Sequence, residues 1–481
     1  MTTLAPMRHA LAALAILVLA AGCGGSEQTA GSFSSDVAEM APASAPLVLA
    51  LETDPESEQW GLAQGLLDRF PGKENLLDEL SKMLSQEGIN VEQDLLPALG
   101  DDTYVVMLDF ENGGDNVVVL TQPRDPAKLR ELLRESDEPV VLREVEGWTL
   151  LADSEALLDR FTADGDHLAD ADWFQDAQGR TEDDALVTML ANGAALQQAG
   201  MDSIPEGCEL PEQGELRYAV GTLAAQADGV RLLFAASGDG AEDIVGNGTL
   251  LAHVPAGALA YLGSPSFDLA GLGLGDGLRC ALDDAGTPDA ERALGTSFDD
   301  VLDLFAGGFA LSVRSAAVIP EVTLLLEPAD EARAIETLDG FVESAGGFFG
   351  VESGTRRVGE VDATEVRLGP VTILYGAGDG RIVITTQAGG FDAFGDDGNS
   401  LEDDERFRQT RDAAGAEDDA DVFAYFDLNR VVELVDTLAA LGSERLTDEQ
   451  RANLEPLESF LVWGDTSDPN EPELGVFLEI R

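Results

Sequence analysis

The residues "NVVVLTQPRDPAKLRELLRE" at 116 to 135 and "EVTLLLEPADEARAIETLDG" at 321 to 340 are built alike. Each is a β-rich run that reaches a proline, Pro123 or Pro328, which has no N–H to give a sheet ladder and so closes the strand. An aspartate follows, Asp125 or Asp330, placed to cap a helix. The apolar residues beyond it recur at helical spacing: Leu129, Leu132 and Leu133 in one stretch, Ile335, Leu338 and Phe341 in the other. A repeat of this kind constrains the fold strongly, because both copies must bury the same faces in the same way.

The likeness extends along both halves. "APASAPLVLAL" at 41 to 51 matches "HVPAGALAYLG" at 253 to 263, small residues and proline leading into an apolar strand. "DLLPALGDDTYVVMLDF" at 94 to 110 matches "DVLDLFAGGFALSVRS" at 300 to 315, a helical turn that ends at glycine before a strand. "GWTLLADSEALLDRF" at 147 to 161 corresponds to "GRIVITTQAGGFDAF" at 380 to 394. Residues 170 to 196 then align with 403 to 431, setting Phe174 beside Phe407 and repeating Glu-Asp-Asp-Ala ahead of the next strand. Each half closes on a hairpin, 217 to 237 and 460 to 481, with Asp228-Gly229 and Asp468-Pro469-Asn470 at the reversals.

Each half therefore reads β-α-α-β-β-α-β-β-α-α-β-α-β-β. Short links between neighbouring strands predict antiparallel pairing. The expected fold class is α+β: a tandem duplication of an antiparallel sheet unit with helices packed on one face. The first repeat spans 41 to 245 and the second 246 to 481, which suits a chain of 481 residues that exceeds one ordinary core. Whether the two repeats share one sheet is open at this level.

The chain opens with Arg8, an apolar run from Leu11 to Leu19, and the small residues Ala20, Ala21 and Gly22 ahead of Cys23. That is the layout of a secretory signal peptide over residues 1 to 22, and its apolar run is too short for a spanning helix. The segment resembles bacterial lipoprotein signals, which implies lipidation of Cys23 and a partner in the membrane through that anchor. Two or more acyl chains, at about 0.8 kcal/mol per buried methylene, make such anchoring stable. "GGSEQTAGSFSSDVAEM" follows Cys23 and reads as a flexible tether, so that 23 to 40 lie outside the expected body. The expected location is the extracytoplasmic face of the cell membrane.

Formal net charge is -64, from 28 basic and 92 acidic side chains. Such a surface repels nucleic-acid phosphates and anionic headgroups, so no nucleic acid is expected as a partner. With Cys23 assigned to the lipid, Cys208 and Cys280 form an even pair in an oxidising compartment. They can form a disulfide or stand as two separate buried thiols.

The element order, the proline-led first strand, "LLPALGDD" and "VVVLTQPRDPAKLRELL" resemble a bacterial family catalogued as domain of unknown function 3352. The resemblance covers the chain from about Ala41 onward and implies a secreted or membrane-attached globular protein. It implies no activity and no functional residue.

Candidate chemistry is sparse. His167, among Asp164, Asp166, Asp170 and Asp172, reads as a cation site or a solvated loop, and lacks the spacing of a calcium loop. His253 has no second histidine near it, as zinc would need. "GLGLGDG" at 271 to 277 misses the spacings of phosphate loops, and no Gly-x-Ser-x-Gly occurs. Glu182-Asp183-Asp184 and Glu417-Asp418-Asp419 are paired acidic loops that could hold cations or simply be solvated. Trp60, Trp148, Trp173 and Trp463 line a cavity or fill cores.

No metal and no cofactor is assigned, and the chain is read as a noncatalytic binding or envelope-associated structural protein with a protein or small-molecule partner. The alternatives are a lipid or apolar-ligand carrier, which needs a large dry pocket, and a hydrolase with an unfamiliar site.

Overall fold

A computed structural model describes residues 33–75, 95–111, 114–135, 139–182, 184–202, 214–239, 250–264, 296–305, 307–316, 319–349, 351–394, 400–417, 420–442, 445–465, 468 and 470–481. Residues 1 to 22, expected to be a signal peptide, and Cys23, Cys208, Cys280, residues 271 to 277, Asp183, Asp418 and Asp419 lie outside the described residues.

The first half runs α1 (Ser35–Met40), β1 (Leu47–Glu52), α2 (Glu58–Leu67), a helical turn (Leu96–Ala98), β2 (Asp102–Met107) and β3 (Val117–Thr121). It continues with α3 (Pro126–Glu135), β4 (Val141–Val145), β5 (Trp148–Ala152), α4 (Glu155–Phe161) and α5 (Asp172–Gln178). β6 (Val187–Asn192), α6 (Gly193–Asp202), β7 (Glu215–Gln226) and β8 (Gly229–Asp239) complete it. From β1 onward this is the element order read from the sequence.

The second half repeats the plan with β9 (Ala258–Ser264), α7 (Phe298–Asp303), β10 (Phe309–Arg314), β11 (Glu321–Leu326) and α8 (Glu331–Phe349). Two strands without counterparts follow, β12 (Glu352–Val358) and β13 (Val361–Leu368), before β14 (Val371–Gly378) and β15 (Arg381–Thr385). Then come α9 (Glu405–Ala414), β16 (Asp421–Asp427), α10 (Leu428–Gly442), α11 (Asp448–Leu454), β17 (Leu457–Asp465) and β18 (Glu473–Ile480). Asp125 and Asp330 do cap their helices: Asp125 Oδ1 accepts from the Ala127 N–H at 2.9 Å, and Asp330 Oδ1 from the Arg333 N–H at 3.1 Å.

Every pairing is antiparallel, and the neighbours define one continuous sheet. Its order is β4-β5-β3-β2-β1-β6-β7-β8 and then β18-β17-β16-β9-β10-β11-β15-β14-β13-β12. The halves meet where β8 pairs with β18, from Glu473 opposite Ala235 to Glu479 opposite Gly229. Equivalent edge strands thus meet antiparallel, a two-fold-like arrangement that answers the question of a shared sheet. Backbone bonds extend the seam at both ends, from the Ile480 N–H to the Asp228 carbonyl (2.8 Å) and from the Gly238 N–H to the Asn470 carbonyl (2.9 Å). At Gly229 a Cβ would collide with the Leu478 carbonyl and the Phe477 ring, so the close approach of the strands needs glycine there.

Class and pairing agree with the sequence; helix placement is fuller than expected. On one face, α1, α4 and α5 cover Val48, Tyr104, Leu150, Leu190 and Val220, and the second half builds the equivalent core around Tyr261, Phe407, Tyr425 and Phe477. The reverse face also carries helices: α2 brings Trp60, Ala63 and Leu66 against Ala225, Val230 and Leu478, and α8 brings Ala334 and Leu338 against Leu326 and Ile382. Strand side chains alternate, so these residues must point away from the first core.

The body also begins earlier than the sequence suggested. Phe33, Val37, Ala38 and Met40 are buried, and the Phe33 ring meets Tyr104 and Phe174 edge to face at 4.9 and 5.2 Å. The segment's polar composition had suggested a tether, yet Phe33, Val37 and Met40 recur at helical spacing and supply an apolar stripe. Residues 33 to 40 therefore belong to the folded body.

Two hairpins at equivalent positions use the same turn. Glu146 and Gly147 (φ 51° and 90°) link β4 to β5, and Asp379 and Gly380 (φ 54° and 78°) link β14 to β15. Positive φ at both central residues defines the reversal that matches strand twist, and glutamate is a poor occupant of it. Glu146→Asn is expected to raise unfolding stability by roughly 0.5–1 kcal/mol in urea melts, because asparagine tolerates that backbone better.

Candidate functional site

The seam forms the floor of a cleft of about 480 Å³. The floor comes from Leu233 and Ala235 on β8 and Gly475 on β18, flanked by Thr222 of β7 and Trp463 of β17. The rims are equivalent segments of the two halves, Gly179 to Glu182 after α5 and Gly415, Glu417 and Ala420 after α9. Glu182 and Glu417, the leading glutamates of the two acidic repeats and remote from one another in sequence, are thus brought to one opening. Gly475 has a definite role, since a Cβ there would strike the Trp463 ring; glycine lets the indole lie against β18.

Ion pairs dominate the electrostatics of the cleft. Arg231 Nη2 donates to Glu182 Oε1 at 2.6 Å, so this glutamate of the first acidic repeat is paired with a guanidinium. Arg180 crosses from the first half to Glu471 and to Glu473 (3.1 Å) of the second. Its pKa is raised above the ordinary value chiefly by the Tyr218 hydroxyl and then by the Glu471 carboxylate, so it is a fixed cation. Glu417 is exposed on the opposite rim.

Other sequence candidates have structural places. The backbone of His167 bridges to Pro42, and the Leu168 N–H donates to the Ala41 carbonyl at 2.9 Å. Pro255 bridges to Ser400 in the same way, with the Leu401 N–H on the Val254 carbonyl at 2.7 Å. The His167 stretch is therefore one of two equivalent ties that hold a loop to the start of a strand. His253 closes a short helical turn, Leu250–His253. Trp60 and Trp148 are buried in cores, Trp173 packs on Phe174, and only Trp463 of the four lines the cleft. Among the described residues, no group of three or more His, Cys, Asp or Glu could hold a metal ion. Among them too, no helix is long and apolar enough to cross a membrane.

One group escaped the sequence reading. Among the described residues four acidic side chains are buried: Glu52, Glu321, Asp427 and Glu479. Glu321 pairs with Arg314, Asp427 with Arg406 (2.8 Å) and Glu479 with Arg481 (2.7 Å). Glu52 accepts only the Asp54 N–H at 2.7 Å and stands directly opposite Asp102 on β2. Burial, reinforced by Asp102, Asp54 and Asp101, pushes its pKa up to about 8, against an opposing hydrogen bond from Asp54. The signal in the sequence was "LETD" facing "GDDTY", but the strand register that opposes the carboxyls is long range.

No family model matches the chain, and no curated relative does. Among solved structures, TP0453 in crystal form III has a TM-score of 0.24 and 11% identity, covering 44% of this chain and 83% of that one. TP0453 in crystal form I gives 0.23 and 11%, covering 42% of this chain and 79% of that one. A likeness at that level assigns neither fold nor function.

The Glu52 geometry has a pH signature. Its folded-state pKa lies above the ordinary 4.5, so the stability it contributes is complete below pH 4.5 and is lost as pH rises through about 8. Glu52→Gln removes that dependence. Urea unfolding is expected to show the variant about 2 kcal/mol more stable than the parent at pH 8, with the difference shrinking toward pH 5.

Proposed function

We propose that this chain is a lipid-anchored, extracytoplasmic, noncatalytic binding protein whose ligand site is the cleft over the seam between its halves. The observation that carries the reading is that equivalent loops of both halves enclose one polar opening of about 480 Å³, within the size range of small-ligand sites. Its described lining offers guanidinium and carboxylate groups, one indole and small or apolar side chains, a set suited to holding a ligand rather than to attacking one. Arg180 with Glu473 and Arg231 with Glu182 present both charge signs. The matching ligand class is a small zwitterion, an amino acid or short peptide, whose own charges exchange into those pairs while its apolar part meets Trp463.

The anchor rests on the sequence: Cys23 behind a short apolar run, in a chain that resembles domain of unknown function 3352. A body this acidic contacts an anionic membrane through its lipid rather than its surface.

Two measurements test the proposal. Cys23→Ser is expected to move the protein from the membrane pellet to the soluble fraction; continued membrane association would remove the anchor. A calorimetric panel of free amino acids and di- and tripeptides is expected to include a ligand whose affinity falls at least tenfold in Arg231→Ala, about 1.4 kcal/mol. A panel that gives no binding, or a ligand indifferent to Arg231→Ala, would overturn the cleft as the site.

A further inference from the structure

Among the described residues the second half carries a hairpin that the first lacks, β12 and β13, which sets β12 at the end of the sheet. β12 pairs with β13 from Glu352 opposite Arg367 to Val358 opposite Val361. Its other edge has no neighbouring strand among the described residues, so alternate N–H and C=O groups face outward there. Every residue from Glu352 to Arg357 is exposed. The charges are ordered along it, with Glu352 at one end, Arg356 and Arg357 at the other, and Gly354 between.

We infer that β12 is a docking edge for a second copy of this chain, the two β12 strands pairing antiparallel with Gly354 on the two-fold axis. A strand that pairs with its own copy must set residues of the same face opposite one another, so the register centres on a residue. Centred on Gly354, Glu352 of each copy stands opposite Arg356 of the other, giving two opposite-charge pairs. Centred on Thr355, Glu352 meets Val358 and both arginines meet neutral residues. Charge complementarity therefore selects the first register.

Local geometry permits it. A Cβ on Gly354 would have open space around it, and the guanidiniums are only loosely engaged, Arg356 with Glu365 at 3.4 Å and Arg357 with Asp362 at 3.7 Å. Exposed pairs of that kind are readily exchanged. The molecule already contains one joint of this type, since β8 and β18 are equivalent edges paired antiparallel. The opposing influence is net charge: two bodies at -64 repel, and salt screens that repulsion over roughly 8 Å at physiological ionic strength. Association should therefore strengthen between low and physiological salt.

The test uses the full chain freed of its own thiols by Cys23→Ser, Cys208→Ser and Cys280→Ser. Gly354→Cys in that background places a thiol on the axis, opposite its mate at about 5 Å between Cβ atoms, and mild oxidation should give a covalent dimer. Glu360→Cys, in the turn beyond β12, should not. Adding Glu352→Arg should slow cross-linking by about tenfold, and Glu352→Arg with Arg356→Glu should restore it. Equal cross-linking at 354 and 360, or no recovery in a charge-swapped chain whose circular dichroism is unchanged, would overturn the proposal. Sedimentation equilibrium of the unsubstituted chain gives an independent reading: a monomer at every concentration up to about 100 µM would equally overturn it.

Discussion

The ladder between β8 and β18 is the contact on which the rest of the molecule depends. A half of this fold built alone would end in a long strand with a row of unpaired backbone groups, a hazard that proteins ordinarily blunt or cover. Joining two equivalent halves edge to edge satisfies both rows at once and turns two sheets into one. The seam is clamped further by Arg69, which reaches the carbonyls of Ile480 and Ala227, and by the Gly72 N–H on Asn453 Oδ1 at 2.6 Å. The Arg69–Ile480 and Gly72–Asn453 bonds cross between halves, as do the Arg180 pairs on the opposite face.

The cleft is a consequence of that joint. A two-fold-like seam brings the equivalent segments after α5 and α9 to the same place. Their residues nevertheless differ there. Arg180 lies on one rim, whereas the described residues of the other, Gly415, Glu417 and Ala420, carry no basic side chain. An opening lined by a symmetric origin and asymmetric charges suits a ligand with two different ends. The same economy of cations governs the interior, where arginines neutralise three of the four buried acids and leave Glu52 to protonation.

Much of this fold was legible because similar stretches in the two halves gave many elements two separate statements. Pro123 and Pro328, Asp125 and Asp330, and Phe174 and Phe407 each mark the same event twice, and all behave as read. Core volumes were less readable, since the large residue has moved between strands. Tyr104 on β2 faces Ala50 of β1, whereas in the second half Ala310 takes its position, facing Gly263, and Tyr261 two residues earlier fills the space. Such compensation keeps packing while erasing the match. The shared sheet, the reverse-face helices and the Glu52 environment all depend on long-range register, which local periodicity does not encode. The acidic loops were recognised as a pair, yet Arg231, the partner of Glu182, lies on a strand whose side-chain direction only the assembled sheet reveals.

Native-state hydrogen exchange across the seam tests the central claim most directly. If the sheet is one cooperative structure, amides of Leu232, Phe234, Val476 and Leu478 that bond across the seam will exchange only through global unfolding, with the same free energy as the inner strands β7 and β17. Exchange of those amides at a distinctly lower free energy, while β7 and β17 stay protected, would show two sheets in contact rather than one, and would contradict the account.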